Sequence, residues 1–398
     1  MAYKSIRFYN FRNLADEEVE LSNNVYYLVG ENGAGKSSFI EALYLLSYGS
    51  SFREKNLEHC LRKQDQPFSI TGSVRQQDQF SNIQVQYDKA QNQAAGKKQI
   101  VLNGKRMQDR KELLHISPGI VFAPGDIVYI NGSPRDKRQF IDQTISLVDP
   151  HYVDLSRNYA RNLAQRNWIL KNKQTALLPT YTLQMVEIGL EIQRSRKQHI
   201  AGLSRIFSEL FQHVSNFNYP VSIEYQPSWQ HIDDKQNAGE AVQSCLEYIE
   251  QRQQRDLLLG SSQSGPHRDR LLFSVSPQST QNGQQKTPEI STKAEAGTQD
   301  FTKLASTGQL RLAALALKSA QASYLQKRSD NPGILLLDDV LLEMDSTRRK
   351  LFLACLPDYQ QVFFTLLPDE DYKSYPFSDY QVLQLKHGKI TQSDMKLP

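Results

Sequence analysis

The residues GENGAGKSS at 30–38 constrain this chain more than any others. They fill every fixed position of G-x-x-x-x-G-K-[ST]. The short apolar run Val25 to Val29 precedes them and has the character of a buried strand; FIEALYLLSYG follows with helical spacing. Glycines between a strand and a helix permit a tight loop whose successive N–H groups face inward. These groups and the positive end of the helix stabilise phosphate oxygens. The pattern predicts ATP held by Gly30, Glu31, Asn32, Gly33, Ala34, Gly35, Lys36, Ser37 and Ser38. Lys36 would reach the β- and γ-phosphates, and the Ser37 hydroxyl would ligate Mg²⁺. The plainer alternative is a glycine turn that joins strand and helix by chance.

A phosphate loop needs a partner carboxylate, and ILLLDDV at 334–340 offers two. An apolar strand ending in acids beside the loop would hold Mg²⁺ directly or through water. Asp338 takes that role in this reading. Asp339 is then placed to orient the attacking water or accept its proton, although its side chain is one carbon shorter than the Glu usual at that place. A strand-end turn that merely happens to be acidic is the other reading.

The rest of the chain has a strand-rich beginning, a helical middle and a returning α/β pattern. Tyr3 to Phe11 alternates, with Ile6 and Phe8 on one face. Segments near 67–74, 82–88 and 98–103 read as antiparallel strands, and Asn103-Gly104 is a hairpin turn signal. Residues 134–148, 151–172, 180–215 and 238–256 read as long polar helices. Gln309 to Leu325 reads as an Ala/Leu-rich helix and Val362 to Phe364 as a buried strand. The expected organisation is an ATPase core from 1–120 and 256–398, a helical lobe at 121–255, and a polar insertion at 276–300 rich in Gln, Ser and Thr.

Composition narrows the class. Hydrophobic residues make up 39% and charged residues 23%, ordinary for a soluble globular chain. No apolar run reaches the roughly 18 residues of a membrane span, and the N-terminus carries no apolar signal core. Three widely spaced cysteines give neither a disulfide framework nor a zinc site, which fits a reducing cytoplasm. A net charge of +4 is compatible with nucleic acid without arguing for it.

Ser306-Thr307-Gly308-Gln309 stands just before the Ala/Leu-rich helix. Alone it reads as an N-cap. In order after a phosphate loop and a helical insertion, and before an acid-tipped strand, it resembles the S-x-G-Q segment of the ATP-binding-cassette ATPases. There that segment of one subunit covers the γ-phosphate bound by the other, so the resemblance implies a head-to-tail homodimer that closes on ATP.

Four further segments narrow the family: RFYNFRNL at 7–14, VFAPGDIVYINGSPRDKRQFID at 121–142, GPHRD at 265–269 and LLLDDVLLEMD at 335–345. With the phosphate loop and STGQ, in this order along nearly the whole chain, they resemble the RecF family. Its members are related to the Rad50 and SMC head domains but lack their long coiled-coil arms. The resemblance implies an α/β fold of the ABC-ATPase head type, with a P-loop core, antiparallel strands and an inserted helical lobe. It also implies weak, DNA-stimulated ATP hydrolysis used as a switch. Further implications are binding to single-stranded and duplex DNA at gap junctions, cooperation with RecR and RecO in loading RecA, and a part in the SOS response. Arg12 matches the arginine that approaches the nucleotide phosphates in such heads; a surface strand-end arginine is its other reading. Thr365 stands where many cassette ATPases have a switch histidine.

Candidate DNA contacts are Lys97, Lys98, Lys105 and Arg106 around the hairpin, and Arg135, Lys137 and Arg138 at a helix start. Such clusters neutralise phosphates without reading sequence; a solvated charged face is the alternative. His267 and Arg268 read chiefly as structural. Two competing functions remain. A transport ATPase subunit would need a membrane partner chain. An ABC-type head of a nuclease or repair complex would need a second acidic metal constellation, and the sequence outside the ATP site offers none.

Overall fold

A computed structural model of the chain describes residues 2–76, 79–89, 96–109, 111–215, 217, 219–230, 232, 236–275, 299–329, 331–342 and 344–393. Most of the polar insertion expected at 276–300 lies outside them. The chain divides into two compact units, 1–126 with 321–398, and 127–320.

The first unit contains two six-stranded sheets. Its strands and helices are β1 (Ala2–Tyr9), β2 (Glu18–Glu20), β3 (Val25–Val29), α1 (Lys36–Tyr48), β4 (Phe68–Gln76), β5 (Gln79–Asp88), β6 (Lys97–Leu102), β7 (Lys105–Arg106), α2 (Lys111–Ile116) and β8 (Gly119–Phe122). One sheet is antiparallel, in the order β2-β1-β4-β5-β6-β7. Alternation fixes its inner face: Ile6 and Phe8 are buried while Arg7 and Tyr9 are exposed. The expected hairpin joins β6 to β7, with Asn103 at φ 49° and Gly104 at φ 78°, the pair of positive angles that a type I′ turn requires.

The second unit begins with α3 (Val128–Asn131), α4 (Pro134–Val148), α5 (Pro150–Asn172) and α6 (Leu178–Ser215). Ser133 and Asp136 form a capping box that starts α4, with Pro134 at its first position. Helix α6 has 38 residues and so spans about 57 Å. Next come β9 (Val221–Gln226), α7 (Ala238–Glu250), α8 (Gln253–Leu259), β10 (Arg270–Val275), β11 (Gln299–Asp300), α9 (Phe301–Leu304) and α10 (Thr307–Gln326). The lobe is therefore not purely helical: β11, β10 and β9 form an antiparallel sheet of their own. The unit also takes in residues 256–320, which the sequence reading assigned to the ATPase core. Pairing explains the difference, since β10 runs along β9 through six residues and packs on α4.

The chain returns to the first unit within α10, at Gln321, and continues with β12 (Ile334–Leu337), α11 (Ser346–Ala354), β13 (Gln361–Leu366), β14 (Gln381–Lys386) and β15 (Lys389–Ser393). These complete the second sheet, in the order β15-β14-β3-β13-β12-β8, parallel from β14 through β8. Strands β3, β8, β12 and β13 are buried at every position, as apolar strands of a parallel sheet should be. The Gln361 amide imitates a strand partner for β1: Tyr3 N–H donates to its Oε1 at 2.7 Å, and its Nε2 donates to the Tyr3 carbonyl at 2.9 Å. Among the described residues no helix is long and apolar enough to cross a membrane.

Candidate nucleotide site

The loop leaves β3 at its C-terminal edge, the end of an open parallel sheet where ligands bind. Its shape needs its glycines. A Cβ on Gly30 would lie 2.4 Å from the Leu385 carbonyl oxygen, and Gly35 has φ 113°. No side chain caps α1 at Gly35, so the positive end of that helix is available to an anion.

Two neighbours hold the loop. Asn13 Nδ2 donates to the Gly33 carbonyl at 2.8 Å, while Asn13 Oδ1 accepts from the Ser38 hydroxyl at 2.9 Å. The β14–β15 turn closes on it as well, with Gly388 N–H donating to the Ala34 carbonyl at 3.0 Å. Lys36 is buried and lies back along the loop, donating to the carbonyls of Gly30 at 2.5 Å and Glu31 at 3.1 Å. Burial draws its pKa below the ordinary lysine value, against the opposing pull of Asp339, Asp338 and Glu31.

Residues 301 apart in sequence meet here: the Ser37 hydroxyl donates to Asp338 Oδ1 at 2.7 Å. Burial pushes the Asp338 carboxyl up to about 6, with the charge of Asp339 adding to the shift and the Ser37 hydrogen bond opposing it. A hydroxyl and a carboxylate oxygen at this spacing are the hard oxygen donors that Mg²⁺ takes, and a cation beside this desolvated carboxylate would relieve its charge. The residues fit the ion. Among the described residues no group of three or more acids, histidines or cysteines could hold a metal.

Asp339 has φ 54°; its N–H donates to Thr365 Oγ1 at 2.7 Å, and the Thr365 hydroxyl is 2.9 Å from Asp339 Oδ1. The cleft in front of the loop has a volume of about 720 Å³; it is lined by the loop, Asp339, His59 and the cations Arg12, Arg53 and Arg62. Arg12 reaches the cleft bound to the fully buried Glu41, through Nε at 2.9 Å and Nη2 at 2.8 Å, with Nη1 donating to the His59 carbonyl. Asn13, Arg53, Arg62 and Glu41 were not singled out from the sequence, although Asn13 falls within RFYNFRNL and Glu41 within FIEALYLLSYG.

Ser306 to Gln309 lie in the second unit at the start of α10. Gln309 N–H donates to Ser306 Oγ at 3.3 Å, and Ser306 N–H to Gln309 Oε1 at 2.8 Å, a reciprocal cap. Ser306, Thr307 and Gly308 are exposed. In the same unit, GPHRD organises a buried network. Asp269 accepts from Gln193, the Ser228 N–H, Arg196 and Tyr225. His267 Nδ1 meets the Tyr159 hydroxyl at 2.7 Å and Nε2 the Ser262 carbonyl at 3.1 Å; burial lowers its pKa to about 4, so the ring is neutral.

The basic clusters separate on inspection. Lys97, Lys105, Arg106 and Arg135 are exposed. Lys98 instead donates to the Gly49 carbonyl at 2.6 Å, Arg138 donates to the Asp269 carbonyl at 2.7 Å, and Lys137 lies over the Phe273 ring.

Comparisons with known proteins agree with this architecture. The family model "RecF/RecN/SMC N terminal domain" matches residues 2–388. The chain is 31% identical over 379 residues to the DNA replication and repair protein RecF of Treponema pallidum (strain Nichols), covering 95% of this chain and 98% of that relative. It is 28% identical to the protein of the same name from Natranaerobius thermophilus, covering 91% and 90%. A solved structure of the recombination mediator protein RecF with ATP, in the RecFOR pathway, superposes with a TM-score of 0.82 at 27% identity, covering 98% of this chain and 97% of that one. An Smc head bound to the C-winged helix domain of ScpA superposes at 0.55 with 15% identity and shares the ABC-ATPase head fold.

Proposed function

The chain belongs to the RecF family, and from that premise we propose that it is an ATP-switched, DNA-binding recombination mediator of DNA replication and repair. The observation that carries the reading is the contact between Ser37 and Asp338, a hydroxyl and a carboxylate oxygen 2.7 Å apart at the end of the glycine-rich loop. In this reading Gly30 to Ser38 cradle the triphosphate of ATP, Lys36 swings from its loop carbonyls to the β- and γ-phosphates, and Ser37 and Asp338 hold Mg²⁺. Held there, the ion would neutralise charge on the phosphates. Asp339 receives the proton of the attacking water. Arg12, tied to Glu41, adds fixed positive charge to the cleft wall.

Ser306 to Gln309 of a second copy complete the site. An exposed helix N-terminus with an exposed serine supports that role, since it suits the γ-phosphate of a partner. Closing two heads on ATP then creates the surface that binds single-stranded and duplex DNA at gaps, with Lys97, Lys105, Arg106 and Arg135 as phosphate contacts. Loading of RecA with RecR and RecO, and a part in the SOS response, follow as the downstream events of the same switch. Hydrolysis resets the dimer, so turnover is weak and stimulated by DNA.

Sedimentation equilibrium with and without ATP, and with and without gapped DNA, tests this. We expect monomers without ATP, dimers with it, and tighter dimers on DNA. Lys36→Met and Ser306→Arg should each remain monomeric with ATP. A monomer under all conditions, or a Ser306→Arg protein that dimerises normally, would count against the mechanism. Cleavage of the gapped DNA with Mg²⁺ or Mn²⁺ would point instead to the head of a nuclease complex.

A further inference from the structure

The two acids at the end of β12 are adjacent in sequence and both meet Thr365, but only Asp338 is also held by the phosphate loop. Asp338 is bound to Ser37. Asp339 occupies the left-handed region at φ 54°, a conformation that a residue with a side chain keeps only where its surroundings determine it. Thr365, buried on the neighbouring strand β13, supplies those surroundings. Its oxygen accepts from the Asp339 N–H at 2.7 Å. Its single hydrogen has three acceptors in range, Asp339 Oδ1 at 2.9 Å, the Leu337 carbonyl at 3.4 Å and the Asp338 carboxyl, and the Asp339 contact is shorter than the one to Leu337. One hydroxyl thus clamps the backbone and the carboxylate of the same residue.

We propose that Thr365 is the positioning residue for ATP hydrolysis at this site, its hydroxyl locking Asp339 through Oδ1 so that Oδ2 is presented to the attacking water. The inference rests on the nucleotide reading above. The chemistry explains why such a clamp is needed here. An aspartate reaches one carbon less far than a glutamate and cannot correct a misplaced backbone by bending its side chain. The left-handed turn and the Thr365 hydroxyl fix both ends of the short arm. In the step itself the water oxygen bonds to the γ-phosphorus. The bond from that phosphorus to the bridging oxygen breaks, with its electron pair leaving on the β-phosphate of ADP. The water proton passes to Asp339 Oδ2, while Oδ1 stays bound to Thr365.

Steady-state and single-turnover hydrolysis by Thr365→Val, measured beside ATP affinity, tests the assignment. The kcat should fall roughly tenfold or more, with KM for ATP and ATP-dependent dimerisation within about twofold of the wild type, because positioning acts on the chemical step. Thr365→Ser and Thr365→Ala differ only in the hydroxyl and remain informative if valine disturbs β13. The serine variant should turn over close to the wild-type rate and the alanine variant as slowly as the valine one. Wild-type kcat in Thr365→Val, or a serine variant as slow as the alanine one, would overturn the role of Thr365 and leave the nucleotide reading intact. A wild-type protein that binds no ATP would sink both.

Discussion

At the scale of single residues the candidate site shows its cost most clearly at Asp338. Its carboxyl is lifted to about 6, while the unfolded chain releases the same proton near the ordinary aspartate value. Between roughly pH 4 and 6 the folded state keeps a proton that the unfolded state has lost, so this group's contribution to stability falls as pH rises and is fully unfavourable above 6. The shift corresponds to about 3 kcal/mol. Asp338→Asn, which can still accept from Ser37, should therefore raise the melting temperature of the ligand-free protein at pH 7.5 but not near pH 4. It should also lose the stabilisation that Mg²⁺ and ATP give the wild type. Thermal melts at both pH values check this, and an unchanged melting temperature at pH 7.5 would refute it. The sequence already marked Lys36, Ser37 and Asp338, because the motif and the acid-tipped strand are local patterns. It could not reveal how Asn13 and Thr365 act, because their partners are set by strand order and by a left-handed turn at Asp339.

Among whole elements, the long helix α6 carries the charge balance of the second unit. Arg196, buried on α6, meets Asp142 of α4 at 3.0 Å and Asp269 at 2.7 Å, and donates to the Pro266 carbonyl. Removing the arginine leaves the fully buried Asp269 without its cation, which costs about 3–5 kcal/mol. Arg196→Met should lower the stability of the protein by that amount in urea unfolding followed by circular dichroism. A loss below about 1 kcal/mol, the scale of an exposed pair, would show that the network is not a stabilising hub. Helices α4, α5, α6 and α10 were legible because they are long and favour helix along their length. Strands β9 and β10 escaped the same reading. Each has six residues and lies among helical segments, and each gains its burial from packing on α6 or α4 and from a partner strand about 50 positions away.

For the whole molecule, the decisive feature is the order β14-β3-β13-β12-β8 in the parallel sheet. The phosphate loop is complete by residue 38, yet β3 is flanked only by β13 and β14, which end at residues 366 and 386. The antiparallel sheet, by contrast, is drawn wholly from residues 2–106. Pairings of such long sequence separation must wait for the intervening chain. A protein truncated after Gln326 should therefore fail to bind a fluorescent ATP analogue although Gly30 to Ser38 are all present; measurable affinity would show that β3 and α1 need no flanking strands. On the ribosome the same topology sets a timetable. The antiparallel sheet can assemble early, and the nucleotide cradle becomes functional only after β13 and β14 have emerged. An unfinished chain then carries the full motif without any ability to compete for ATP.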